Sequence, residues 1–181
     1  DKRKMSKMGE FQELKTIDGL EIASVSADLY GNGRDDLSLF YFKDGANYAL
    51  LQTSSTIVSE TINWNQGSNK KFIKALIVNT KNANTFTGKQ GLESLDEIAK
   101  NLSKTLTLRE SQSEEGVDEA IKIKDILFAS TGVIGEKFPV DKINQTIQEL
   151  VEKLRADQNK LIWTKTASAI MTTDTKPKLA Y

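Results

Sequence analysis

Three short stretches place oxygen and nitrogen donors beside turn-forming residues. In Ser130-Thr131-Gly132-Val133-Ile134-Gly135, a threonine hydroxyl and a glycine N–H follow an apolar run, so the two donors can be aimed at one point. Such a pair suits an anion, as in phosphate-binding turns. A phosphate loop would end in Gly-Lys-Ser/Thr, which is absent, and without further context the stretch reads as a turn between a strand and a helix. Thr172-Thr173-Asp174-Thr175 offers hydroxyls either to a polar ligand or to the last carbonyls of a helix. Asp28, Asn32 and Asp36 are spaced by fours around two glycines, as oxygen ligands of a calcium loop would be. Gly31 stands where a further acid or Asn is wanted, however, and the pattern has no second copy. A plain Asx/Gly turn accounts for it more simply, and no metal ligand is assigned.

The chain has no Cys and no His. That removes a thiol nucleophile, a Cys/His zinc site, an imidazole base and the pairs built on them. Chemistry here must run on hydroxyls, carboxylates, lysines and backbone N–H groups. The 25 Lys and Arg balance 25 Asp and Glu, which argues against nucleic acid or an anionic membrane as the main partner, since both call for a concentrated positive field. Lys2, Arg3, Lys4 and Lys7 form the basic cluster, in a polar stretch expected to be a flexible leader over residues 1–15. No apolar run approaches the roughly 18 residues of a spanning helix, so neither membrane insertion nor secretion is expected. Residues 16–181 are expected to form one domain, large enough to bury a core without disulfide or metal staples.

The elements that must hold these residues follow from hydrophobic periodicity. Leu20 to Ala27 roughly alternates and predicts a half-buried strand. Leu37 to Phe42 and Tyr48 to Leu51 flank Lys43-Asp44-Gly45-Ala46-Asn47, a spacing that predicts a hairpin. Ile57 to Trp64 is ambiguous. Phe72 to Val78 is a β-branched apolar run suited to a central strand, leading into a polar loop from Asn79 to Gly91. Leu92, Leu95, Ile98, Ala99 and Leu102 share one helical face, and the helix is expected to end before a solvated stretch, Glu110 to Glu119. Ile121 to Phe128 predicts another buried strand. Pro139 opens the clearest helix, with Ile143, Ile147, Leu150, Val151 and Leu154 on one stripe, and Trp163 to Met171 predicts a short one. The class is α/β or α+β.

Taken together, Asn79-Thr80-Lys81-Asn82-Ala83-Asn84-Thr85-Phe86-Thr87-Gly88, Ser130-Thr131-Gly132-Val133-Ile134-Gly135 with Pro139 and Asp141, and Ala169-Ile170-Met171-Thr172-Thr173-Asp174-Thr175 with Pro177-Lys178 resemble the bifunctional ornithine acetyltransferase/N-acetylglutamate synthase family of arginine biosynthesis. Gly33-Arg34-Asp35-Asp36-Leu37-Ser38-Leu39 is similar to that family's early Gly-Arg-x-Asp-Leu strand. Two departures stand out. Lys81 occupies the Gly of the family's Ser-Gly-Asn-Ala-Asn, so a turn there must form without Gly, and Phe86 replaces the Cys of its Cys-Thr-Gly.

The resemblance implies an α/β fold with a mixed sheet and helices, of the N-terminal-nucleophile, two-chain acetyltransferase type, with only the α-chain part present. The precursor would cut itself, and the N-terminal Thr of its β chain would be the nucleophile. This sequence stops at Tyr181, before the segments that carry that Thr, a substrate Lys and further contacts. The implied reaction is ping-pong transfer of acetyl from N-acetylornithine to glutamate, with Thr131 and Gly132 as the oxyanion hole and Thr172 against substrate. Asn82, Asn84 and Thr87 are expected to order their loop. No cofactor is implied, acetyl-CoA entering only as a second acetyl donor. The implied partner is the β chain in an α2β2 or higher cytoplasmic assembly. The alternatives are a related N-terminal-nucleophile amidohydrolase or aminopeptidase that releases acetyl to water, and a calcium-binding module around Asp28 to Asp36.

Overall fold

The computed structural model describes residues 14–68, 71–113 and 120–179. The expected leader lies almost wholly outside the described residues, as does the acidic stretch 114–119. A four-stranded mixed sheet has the order β1-β2-β3-β4, with β1 Leu20–Val25, β2 Leu37–Asn47, β3 Phe72–Asn79 and β4 Ile126–Ser130. The first three strands are antiparallel neighbours, and β4 runs parallel to β3. Among the described residues four α-helices accompany the sheet: α1 Glu60–Gly67, α2 Gly88–Ser111, α3 Val140–Glu152 and α4 Lys160–Ala169. The expected α/β class with a mixed sheet is what forms.

The pleat sorts the strand side chains into two sets. Ala23, Val25, Leu39, Tyr41, Ala75, Ile77, Ile126 and Phe128 share one core with Leu95, Ile98, Leu102 and Leu106 of α2 and Ile143, Ile147 and Leu150 of α3. The apolar stripes read from both helices therefore cover one face, except that Leu92, read into the α2 stripe, is exposed. On the opposite face α4 lies over β1 and β2, where Ser24 Oγ donates to Thr166 Oγ1 at 3.1 Å. Phe40, Phe42, Leu76 and Val78 point to this second face by register, and each stays only half-buried.

Three expectations are corrected. The hairpin at Lys43 to Asn47 does not form. That segment belongs to β2, whose register against β3 shifts between Tyr41 and Ala46, while residues 48–51 lie outside any strand. The Gly is needed for a bulge rather than a reversal: at φ +76 it leaves room for the Phe72 ring, which a Cβ would meet at 1.8 Å. The long helix does not stop before Glu110, which is helical and buried. Arg109 pairs there with Glu110 at 3.0 Å and with Glu21 of β1 at 2.6 Å, so an acid that looks solvated in sequence joins an ion-pair triad between α2 and β1. The strand expected from Ile121 begins only at Ile126, after a 3-10 turn, Ile123–Asp125.

Candidate functional site

Val25 of β1, Leu37 of β2, Asn79 of β3 and Ser130 of β4 lie side by side at one end of the sheet. The loops 26–36, 80–87 and 131–139 all leave from this end. Asn79 is the hub beneath them. Its Oδ1 accepts from Ser130 Oγ at 2.6 Å, and its Nδ2 donates to the carbonyls of Thr80 and Asn82. Thr61 of α1 donates in turn to Ser130 Oγ at 3.0 Å.

The 80–87 loop is held by its own amides. Asn82 Nδ2 donates to the carbonyls of Glu136 and Lys137, and its Oδ1 accepts from Asn84 N at 2.8 Å. Asn84 donates to Gly91 O and accepts from Thr87 Oγ1 at 2.6 Å. Asn82, Asn84 and Thr87 thus order the loop, as their motif implied. Lys81, Asn84 and Phe86 all have positive φ, at 73°, 50° and 58°. The turn that had to form without Gly does form at Lys81, in a left-handed conformation costing roughly 1–2 kcal/mol.

Against this loop lies the 131–135 segment. Thr131 N donates to Asn79 O at 3.1 Å, Val133 N to Lys81 O at 2.8 Å, Ala83 N to Val133 O at 2.9 Å and Gly135 N to Thr85 O at 2.9 Å. The two loops therefore run on as a short parallel ribbon past the ends of β3 and β4. Gly132 lies so close that a Cβ on it would meet Lys81 C at 2.2 Å. Among the described residues, the Thr131 hydroxyl and the Gly132 N–H donate to nothing. Thr131 is half-buried and Gly132 exposed. A ribbon bonded on both sides of these residues leaves two neighbouring donors free.

Thr172 reaches the same end by another route. Arg34, in the loop between β1 and β2, donates through Nη2 to Ser168 O at 3.2 Å and Met171 O at 2.8 Å, tying the end of α4 to the loop. Lys165 pairs with Asp35 at 3.3 Å. The half-buried Thr172 follows directly, and its hydroxyl caps no helix carbonyl. Sequence reasoning missed the Arg34 bridge, and a contact across 137 residues leaves no local signal.

The calcium reading fails on direction. Asp36 is buried and turned inward, accepting from Ala27 N and Leu29 N at 2.7 Å each. Asn32 Oδ1 accepts from Arg34 N, and Asp28 pairs with Lys142 at 3.5 Å. The three side chains serve three separate tasks, and among the described residues no cluster of three or more candidate ligands forms.

Burial pushes the Asp36 carboxyl above its ordinary value of 3.8, against backbone N–H groups that pull it down. A raised folded-state value means that this group's stabilising contribution is complete below 3.8 and is lost as pH rises through the raised value. Asp36→Asn sets an amide NH2 against one of the two backbone donors, so it should destabilise the fold by about 1–3 kcal/mol. Because Asn does not titrate, the gap between parent and variant should narrow as pH rises from 3.8. Urea melts of both proteins across that pH range measure it, and equal stabilities would refute the assignment.

The chain is similar to known proteins over nearly its whole length. A family model described as the ArgJ family matches residues 21–181. The chain is 33% identical over 175 residues to the arginine biosynthesis bifunctional protein ArgJ of Caulobacter vibrioides, covering 94% of this chain and 39% of that protein. It is 34% identical over 173 residues to the protein of the same description from Nitrobacter winogradskyi, covering 93% and 37%. It therefore spans about two fifths of the length of these relatives. Among solved structures, arginine biosynthesis bifunctional protein ArgJ from Bacillus halodurans superposes with a TM-score of 0.73 at 26% identity, covering 91% of this chain and 80% of that one. Ornithine acetyltransferase from Mycobacterium tuberculosis gives 0.74 at 24% identity, covering 91% and 83%, a likeness of fold. With a family match over residues 21–181 and relatives a third identical over more than nine tenths of its length, the chain belongs to the ArgJ family.

Proposed function

We propose that this chain is the α chain of a glutamate N-acetyltransferase that moves acetyl from N2-acetylornithine to glutamate in arginine biosynthesis. The reading rests on one observation above the rest: two adjacent donors, Thr131 Oγ1–H and Gly132 N–H, that bond nothing among the described residues, at the carboxyl ends of β3 and β4. In the proposed reaction the hydroxyl oxygen of a β-chain N-terminal Thr attacks the acetyl carbon, while that residue's own amine takes the hydroxyl proton. The carbonyl oxygen becomes an oxyanion facing Thr131 and Gly132. As the C–N bond breaks, the proton passes to the departing amine of ornithine, leaving an acetyl ester on the enzyme. The glutamate amine attacks that ester through a second oxyanion at the same place, and the Thr oxygen recovers its proton.

Two further observations favour a second chain. The crystallised Bacillus halodurans chain is matched over 80% of its length and the Caulobacter relative over 39%, so the former is roughly half as long as the latter. The half-buried Phe40, Phe42, Leu76 and Val78 face also offers a surface for a β chain to cover. The Mycobacterium tuberculosis neighbour was crystallised with ornithine, which agrees in substrate class.

Incubating the complete enzyme with N2-acetylornithine, with and without glutamate, tests the reading. Ornithine release should require glutamate and yield N-acetylglutamate. Release at the same rate without glutamate would identify a hydrolase instead. Thr172 should also declare itself in this assay. Because its hydroxyl caps no helix carbonyl, Thr172→Ser should keep most activity. Thr172→Val should raise the Michaelis constant by a factor corresponding to about 0.5–1.5 kcal/mol at an unchanged melting temperature. A matching loss of melting temperature and activity would return Thr172 to a structural role.

A further inference from the structure

Lys81 combines three features that the reaction proposed above does not use. It holds a left-handed backbone conformation at φ +73, a place where glycine would sit without strain. Its side chain is half-buried, yet among the described residues no carboxylate lies within ion-pair distance of it. The neighbouring acids are engaged elsewhere: Asp35 with Lys165, Asp28 with Lys142, and Asp36 with backbone N–H groups. Its Nζ lies 6.0 Å from the centre of the Tyr30 ring, which the Arg34 guanidinium also approaches, at 4.5 Å. Two cations thus gather around one aromatic ring, with Arg34 committed to the carbonyls of Ser168 and Met171 and Lys81 not committed.

The backbone of Lys81 is also the surface against which the oxyanion turn rests. Its carbonyl accepts the Val133 N–H at 2.8 Å, and its carbonyl carbon lies under Gly132. The ammonium is therefore carried on a flexible four-carbon stem rooted one residue's width from the donors that would face the reacting carbonyl. In an N-acetylated amino acid, the α-carboxylate is separated from the acetyl carbonyl only by the amide nitrogen and Cα. A substrate whose acetyl oxygen faces Thr131 and Gly132 brings its carboxylate within the sweep of that stem.

We infer that Lys81 recognises the α-carboxylate of the acetyl donor and of the amino-acid acceptor, acting as a specificity residue in addition to the oxyanion pair. Tyr30 steadies the ammonium between turnovers, and the strained backbone aims it. The inference rests on the proposed acetyl transfer.

Its test uses the complete, self-cleaved enzyme and two donors, N2-acetylornithine and the same molecule with its α-carboxylate converted to a carboxamide. Lys81→Met should raise the Michaelis constant for the carboxylate substrate about ten- to a hundredfold, the range for losing one charge-assisted hydrogen bond. Turnover should stay within about threefold. The carboxamide should be handled almost equally by parent and variant, and Lys81→Arg should recover most of the lost affinity. Lys81→Gly relaxes the backbone and keeps a folded comparison in hand, and it should lose affinity as Lys81→Met does without melting earlier. An unchanged Michaelis constant in both Met and Gly variants would overturn the inference, as would an equal penalty on the carboxylate and carboxamide substrates. A parent enzyme that releases no ornithine would instead overturn the acetyltransferase reading, and this assignment with it.

Discussion

Thr131→Ala, in enzyme already cut into its two chains, should turn over N2-acetylornithine about a hundred- to a thousandfold more slowly than the parent, a loss of roughly 2.7–4 kcal/mol from the transition state. Its Michaelis constant should move much less, because the hydroxyl matters most once the carbonyl oxygen carries charge. Stability should hardly change. The Thr131 hydroxyl bonds nothing among the described residues, while the backbone bond from Thr131 N to Asn79 O does not depend on the side chain. This separation of turnover from folding distinguishes an oxyanion donor from a turn residue. Steady-state kinetics beside a thermal melt would read both, and turnover within about threefold of the parent would leave Thr131 with no part in the chemistry.

The neighbouring glycine should behave differently. Gly132 has φ +141, and a Cβ there would meet Lys81 C at 2.2 Å, Lys81 O at 2.3 Å and Asn82 N at 2.5 Å. All three are backbone atoms and cannot swing aside as a flexible side chain would. Gly132→Ala must therefore push the 131–135 ribbon off the 80–87 loop, at a cost of about 3 kcal/mol or more from backbone conformation and overpacking together. The same displacement turns the Gly132 N–H away, so activity should be lost in whatever fraction folds. Gly135 is the internal control. Its φ is +80, but nothing lies within 4 Å of its absent Cβ, so Gly135→Ala should cost only the conformational component, about 1–2 kcal/mol. Equal melting temperatures for the two alanine variants would mean that the Gly132 contact is not a firm one.

What could be read before any coordinates was what local chemistry controls. The stripe from Ile143 to Leu154, on α3 and just past its end, and the α2 stripe from Leu92 to Leu102 are periodic enough to be unambiguous, and all but Leu92 are buried. Phe72 to Val78 reads as central because it is apolar but for Lys74, and it lies between β2 and β4. Lys81 was legible as a conformational problem because a motif wanted Gly there. The failures were decided by distant partners. The pentapeptide Lys43 to Asn47 has the composition of a turn, and only the Phe72 ring over Gly45 reveals why it stays in the strand. Glu110 sits in an acidic context that reads as solvent, yet it is buried and paired with Arg109, which also holds Glu21 of β1. Nothing near Met171 could announce that Arg34 holds its carbonyl.

The sheet is finished sideways. Along the outer side of β4, Trp64 Nε1 donates to Ile126 O, and Asn65 both donates to Phe128 O and accepts from Phe128 N. Side chains of α1 thereby imitate the ladder of an absent fifth strand. Along the outer side of β1, Ile22 and Arg155 exchange both their backbone bonds, and Gln158 closes on Ile17 and Leu20. An open strand edge is where sheets ordinarily recruit another chain, natively or by accident, and here both rims are occupied. Growth by adding strands is closed off, and the direction left for enlargement is across the layer. A layer laid across the sheet would match side chains rather than extend hydrogen-bond rows.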